Sequence, residues 1–178
     1  MALKSIIYKA ELSIADMDRN YYGTHLLTLA RHPSETDERL MIRVLAFAIH
    51  ADEALVNAKG LSDTEEPDLW QKDLTGAIDL WIEIGQPDDK RLLKAAGRSE
   101  KVMVYSYAAT SHVWWKQLAN KVERAKNVSV VNIPAEASEA LTKMANRSMQ
   151  LTCTIQDGQI WLTDGADTVL VERETFKA

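Results

Sequence analysis

The sequence predicts an α/β fold: a mixed β-sheet flanked by helices, with β-hairpins at the N-terminal and C-terminal ends. Three observations predict it. Alternating apolar stretches at both ends are broken by turn signals, Asp16-Met17-Asp18-Arg19-Asn20 near the start and Asp157-Gly158 and Asp164-Gly165 in the tail, which is the pattern of antiparallel hairpins. Between them, short β-rich runs alternate with helical segments, as they must when helices pack on a mixed sheet. A length of 178 residues with no linker, repeat or low-complexity stretch then suits one domain over residues 1–178.

The elements follow in order. Residues 3–14 and 21–30 alternate as the strands of the first hairpin, and His32-Pro33 ends the second strand. Ser34 is a good N-cap with acids in the turn after it, where the helix dipole favours them, so a helix is expected to run to about Asp52. A short strand at 56–59 and an acidic loop at 61–66 precede a strand pair, 68–71 and 77–84, around the turn 72–76. Pro87 suits the first position of a helix reaching about Arg98. The pattern continues with a strand at 102–107, a helix at 113–125, a strand at 128–133 and a helix at 135–145. The tail is a three-stranded meander over 149–155, 160–163 and 168–171.

Bulk composition excludes more than it specifies. The hydrophobic share of 46% and charged share of 26% are those of a globular protein. No apolar run approaches the ~20 residues that span a bilayer, and the start lacks the regions of a signal peptide. Cys153 is the only cysteine, so no internal disulfide can form and a cytoplasmic location is expected. A net charge of −5 argues against a dedicated nucleic-acid surface, although nuclease sites are themselves acidic.

The carboxylates carry the functional signal. At ~100° per residue, Met41, Ile42, Leu45 and Ile49 lie near Glu38 on the first helix, while Glu35, Arg39, Arg43 and His50 fall on another side. Glu38 thus ends an apolar stripe, where a lone carboxylate is costly unless it is paired or binds metal. On the strand 77–85, Ile78, Leu80, Ile82 and Ile84 share one face, and Asp79, Trp81 and Glu83 share the other. Pro67-Asp68 on the preceding strand brings a carboxylate beside Glu83, and a helix packed on that sheet supplies a third. Glu38, Asp68 and Glu83 are therefore the expected ligands of a divalent ion, Mg²⁺ or Mn²⁺, for which oxygen ligands and a substrate phosphate are the natural shell. Salt bridges and a solvated strand face are the competing readings.

At these residues the chain resembles the PD-(D/E)XK nuclease superfamily, whose core has a helix with an acid, strands bearing Pro-Asp and Glu, a helix and a further strand. More closely, it resembles the bacterial YaeQ family along its whole length. That likeness is carried by Tyr8-Lys9-Ala10-Glu11-Leu12, Ala30-Arg31-His32-Pro33-Ser34-Glu35-Thr36, Glu66-Pro67-Asp68-Leu69-Trp70, Gly85-Gln86-Pro87-Asp88 and Ser148-Met149-Gln150-Leu151. The resemblance implies a restriction-endonuclease-like core and a Mg²⁺-dependent hydrolysis of phosphodiesters. It also exposes a departure: the superfamily lysine, two residues after the glutamate, is Gly85 here. Gln86 is the preferred substitute for positioning water, ahead of Lys90, Arg91 or Lys94. The alternative is a catalytically inactive scaffold serving as a binding or interaction module, in transcription or RNA metabolism. The polymer cut and the oligomeric state stay open, as does the role of Asp79.

Other signals are bland. His25, His32, His50 and His112 show no zinc-ligand spacing. Cys153 reads as a packed thiol. Of Trp114 and Trp115, one is expected in the core and the other at the surface.

Overall fold

In the computed structural model, which describes residues 4–178, the two end hairpins join in a single sheet. The chain runs β1 (Ile6–Asp16), β2 (Tyr21–Arg31), α1 (Asp37–Ile49), β3 (Leu55–Asn57), β4 (Leu69–Lys72) and β5 (Ile78–Ile84). It continues through α2 (Asp89–Arg98), β6 (Ser99–Ser106), α3 (Ser111–Val122), β7 (Val128–Asn132) and α4 (Ala135–Thr142). It closes with β8 (Ser148–Gln156), β9 (Gln159–Thr163), β10 (Thr168–Val171) and β11 (Glu174–Lys177). The mixed α/β class expected from the sequence is what the chain adopts, built on two mixed sheets with four helices. Residue 3, the expected first position of the first strand, lies outside the described residues. Among the described residues, no helix is long and apolar enough to cross a membrane.

The elements group into two compact units. One comprises Met1–Ala51 with Glu136–Glu172, and its sheet has the order β10-β9-β8-β1-β2. The first hairpin pairs without a register break from Ile6↔Arg31 to Asp16↔Tyr21. The β8–β9 hairpin turns at Asp157-Gly158 as expected, and both turn residues have positive φ. Parallel pairing of β1 with β8, from Lys9↔Ser148 to Asp16↔Ile155, fuses the two ends. One row of β1 is buried, Tyr8, Ala10, Leu12 and Ile14, and so is the matching row Met149, Leu151, Cys153 and Ile155 of β8. Period two puts each row on one face, and each fully buried side chain of this size contributes roughly 1.5–3 kcal/mol.

Helix α1 begins later than Ser34 suggests. Thr36 is the cap, accepting from the Arg39 backbone N–H at 3.1 Å, while Ser34 is taken by the His32 ring at 2.6 Å. Every residue from Leu40 to Ile49 is buried, including Arg43 on the side expected to be polar. Glu35 makes that burial tolerable: its two carboxylate oxygens accept from Arg39 at 2.7 Å and Arg43 at 2.9 Å.

The other unit comprises Asp52–Ala135 with Arg173–Ala178, and its sheet has the order β11-β7-β6-β5-β4-β3. The central pairs β5–β6 and β6–β7 are parallel, and the flanking pairs are antiparallel. Trp81, Val102, Val104, Val128 and Val130 form a buried cluster with Leu92 and Ala95 of α2 and Leu118 and Val122 of α3. Helix α2 starts at Asp89 rather than Pro87, because the Asp88 side chain caps it by accepting from the Arg91 N–H. Strand β11 was not anticipated: Glu174-Thr175-Phe176-Lys177 is too short to carry a period, yet it pairs with β7.

Candidate active site

Strands β4 and β5 bring two of the expected carboxylates together. Their register sets Leu69 against Ile82 and Trp70 against Trp81, and carrying it one step further places Asp68 opposite Glu83. Directly opposed residues share a face with Cβ atoms ~5 Å apart. Both acids are buried, at 3% and 4% exposure.

Each carboxylate is held. Asp68 Oδ2 accepts from the Ile84 backbone N–H at 2.8 Å, and Gly60 packs against the other oxygen. Glu83 Oε1 accepts from the Trp81 indole Nε1–H and from Arg91 Nε, both at 2.8 Å. Burial first, and the negative charge of Asp68 second, push the Glu83 carboxyl up to about 7, while Arg91 and the two donors pull against that rise.

Arg91 comes from the first turn of α2 and does more than pair with Glu83. Its remaining donors reach the backbone oxygens of Thr64 at 3.0 Å and Glu66 at 2.9 Å, so one planar guanidinium ties the strand, the helix and the acidic loop. Arg91 is one of the candidates that the sequence offers beside Gln86. The signal was present in its position, one residue before Leu92 and four before Ala95, on the flank of the buried stripe of α2. The indole donor of Trp81 and the close approach of Gly60 carried no such signal.

Gln86 is exposed, and its amide donates to Thr110 Oγ1 at 2.9 Å. Gly85 has φ +110°, a region that L side chains rarely adopt, so backbone geometry accounts for a glycine at this position. Glu38 belongs to the other compact unit, where Ser138 Oγ donates to its Oε2 at 3.1 Å. Among the described residues, no group of three His, Cys, Asp or Glu side chains is placed to hold a metal ion. The pair Asp68 and Glu83 still suits Mg²⁺, which commonly takes one or two carboxylates and completes its shell with water and phosphate.

The comparisons fix the family. A model of the YaeQ protein family matches residues 1–173. The chain belongs to the YaeQ family. The YaeQ protein of Escherichia coli (strain K12) is 43% identical over 172 residues, covering 96% of this chain and 95% of that protein. The YaeQ protein of Salmonella typhi is 43% identical over 173 residues, covering 97% and 96%. The crystal structure of the YaeQ protein from Xanthomonas axonopodis pv. citri is 45% identical with a TM-score of 0.94, covering 98% of this chain and 99% of that one. That of the Pseudomonas syringae YaeQ protein is 36% identical, also at 0.94, covering 98% and 97%.

Elsewhere, burial pushes the Cys153 thiol up to about 12, in keeping with an inert packed thiol. Trp114 and Trp115 are both half-buried against the α2–α3 core, where one had been expected in the core and one at the surface. Trp114 Nε1 donates to the Pro87 carbonyl at 3.0 Å, and Trp115 stacks on Phe176 at 5.9 Å.

Proposed function

We propose that this YaeQ-family chain is a metal-dependent hydrolase of nucleic-acid phosphodiesters, a variant of the PD-(D/E)XK nucleases in which Arg91 supplies the cation that Gly85 cannot. The observation that carries this reading is the contact of Arg91 Nε with Glu83 Oε1 at 2.8 Å, beside a second buried carboxylate, Asp68, immediately before the adjacent strand. The order of a strand pair with two acids, a helix and a parallel strand supports the superfamily assignment.

In this reading Asp68 and Glu83 hold Mg²⁺ or Mn²⁺, which when bound polarises the phosphate and acidifies water. The chain's own groups prepare that site. The Ile84 N–H and Trp81 Nε1–H fix the two carboxylates, and Arg91 orients Glu83 and places positive charge where a phosphoryl group develops negative charge. The sole cysteine supports a reducing compartment such as the bacterial cytoplasm.

The test is cleavage of plasmid, single-stranded DNA and RNA with Mg²⁺ or Mn²⁺, beside Asp68→Asn and Glu83→Gln. Metal-dependent cutting lost in both variants supports the proposal. Equal cutting by all three proteins, or none on any polymer, overturns it. A specific observation favours a second reading, a non-catalytic binding scaffold: Arg91 also clamps the Thr64 and Glu66 carbonyls, a structural task in itself. Folding intact with no cleavage and no calorimetric Mg²⁺ binding would select that scaffold.

A further inference from the structure

The Arg91 clamp is one of three that α2 applies to the same segment. Lys94 Nζ donates to both carboxylate oxygens of Glu65, at 2.8 and 3.0 Å. Arg98 reaches the Glu65 backbone oxygen at 2.9 Å and its carboxylate at 3.6 Å. Positions 90, 94 and 98 repeat every fourth residue, so Lys90, Lys94 and Arg98 share one stripe of the helix, with Arg91 on its flank. The segment and the helix wall a cleft of about 440 Å³ whose lining carries four cations, Lys90, Arg91, Lys94 and Arg98, against Glu65 and Asp88. A chain with a net charge of −5 thus gathers a local cationic excess beside its buried acid pair, with Trp81 in the cleft wall and Arg91 touching Glu83.

What fills the cationic stripe is a carboxylate from the chain itself, presented with both oxygens to one lysine. A phosphate diester offers the same two-oxygen face with a full negative charge, and Lys and Arg side chains are the usual partners of backbone phosphates. Glu65 is on an exposed loop, with its side chain 58% accessible, so its hold on Lys94 is of the kind that contributes little in water and yields to competition.

We propose that the α2 stripe Lys90–Lys94–Arg98 is the phosphate-binding surface of this site, and that Glu65 occupies it as an internal competitor which a nucleic-acid strand displaces. The strand lies along α2 with Arg91 between it and Glu83, so binding and the acid pair are adjacent and separable. The identity of the ligand builds on the hydrolase reading, and the experiment keeps the two apart by measuring binding where no metal-dependent cleavage occurs.

The experiment is fluorescence anisotropy of a labelled single-stranded oligonucleotide in EDTA, over a salt series, with unlabelled oligonucleotide and inorganic pyrophosphate as competitors. Lys94→Ala is expected to weaken binding about fivefold or more, and to flatten the slope of log affinity against log salt by about 0.7, the value of one lost phosphate contact on a single strand. Glu65→Gln is expected to tighten binding by about threefold. Lys143→Ala, an exposed lysine outside the cleft, serves as the control and is expected to bind as the parent does. Displacement by unlabelled oligonucleotide at concentrations where pyrophosphate fails supports a strand ligand. The proposal is overturned by any of three results: no binding in EDTA, a salt slope unchanged in Lys94→Ala, or pyrophosphate competing as well as the strand. These outcomes hold whether or not the protein cuts when metal is added.

Discussion

Gly60 lies so close to Asp68 that a Cβ built on it would fall 2.6 Å from Oδ1. Gly60 also has φ +51°, so the glycine serves both the backbone conformation and the seat of the carboxylate. Gly60→Ala should cost about 2 kcal/mol or more, the left-handed penalty plus the contact, and it should push Asp68 out of place. Gly76 is the control: its φ is +90° and nothing lies within 4 Å of a Cβ there. Urea midpoints should fall in both alanine variants, while metal-dependent cleavage falls in Gly60→Ala alone. Equal cleavage in the two would detach Gly60 from the site.

The second prediction concerns pH in EDTA. Glu83 is raised from 4.5 to about 7 in the folded chain, so the folded state binds its proton more tightly than the unfolded state. Stability from this group is then fully present below about pH 4.5, and it is lost as pH rises through about 7. The penalty above pH 7 is on the order of 3 kcal/mol. Glu83→Gln keeps an acceptor for Trp81 and Arg91 and has no charge to bury. Its stability at pH 8 should match or exceed that of the parent, with a flatter profile between pH 5 and 8. A variant equally pH-dependent would place the titration elsewhere.

Arg91→Met removes the cation that restrains this shift. Glu83 should then titrate above 7, and the stability loss should be larger at pH 8, about 1–3 kcal/mol, than at pH 5.5, where Glu83 is already protonated. Arg91→Lys restores charge without the planar fork and should recover only part. The measurement is denaturant unfolding at both pH values, and an identical loss at each would assign Arg91 to the loop carbonyls rather than to Glu83.

In the other unit, Glu35→Ala deprives buried Arg43 of its carboxylate partner and should cost about 3 kcal/mol. Glu35→Leu combined with Arg43→Met should regain much of it, since a packed apolar pair of similar volume replaces two desolvated charges. A double variant no more stable than Glu35→Ala would show that another group on α1 carries the loss.

Strands and turns were legible wherever a pattern repeats within one element. Asp157-Gly158 marked its hairpin, the alternation through Glu83 placed that acid beside Trp81, and Pro67-Asp68 gave the opposing carboxylate. The missed features depend on partners far along the chain. Parallel pairing of β1 with β8 leaves no local trace, β11 is four residues long, and the polar side of α1 gave no hint that Glu35 would carry Arg43 into the interior. The contact of Arg91 with Glu83 was hidden in the same way: α2 delivers a side chain eight positions after the glutamate, a separation in sequence that the Asp88 cap and the first helical turn close in space.

The parallel β1–β8 seam also has a meaning during synthesis. Arg147 Nε donates to the Ile7 carbonyl across 140 positions of chain. At ~5–20 residues per second, a ribosome needs on the order of ten seconds to deliver β8 after β1 has emerged. Throughout that interval the first hairpin carries an open inner edge, while the segment from Asp52 to Ala135, nearly all of the other unit, is made and can collapse first. The nascent protein therefore makes the acid-pair unit, apart from β11 and its flanking residues, while its oldest strand still lacks its second neighbour, and loss of the last 30 or so residues by premature termination would leave that strand a permanent invitation to aggregation.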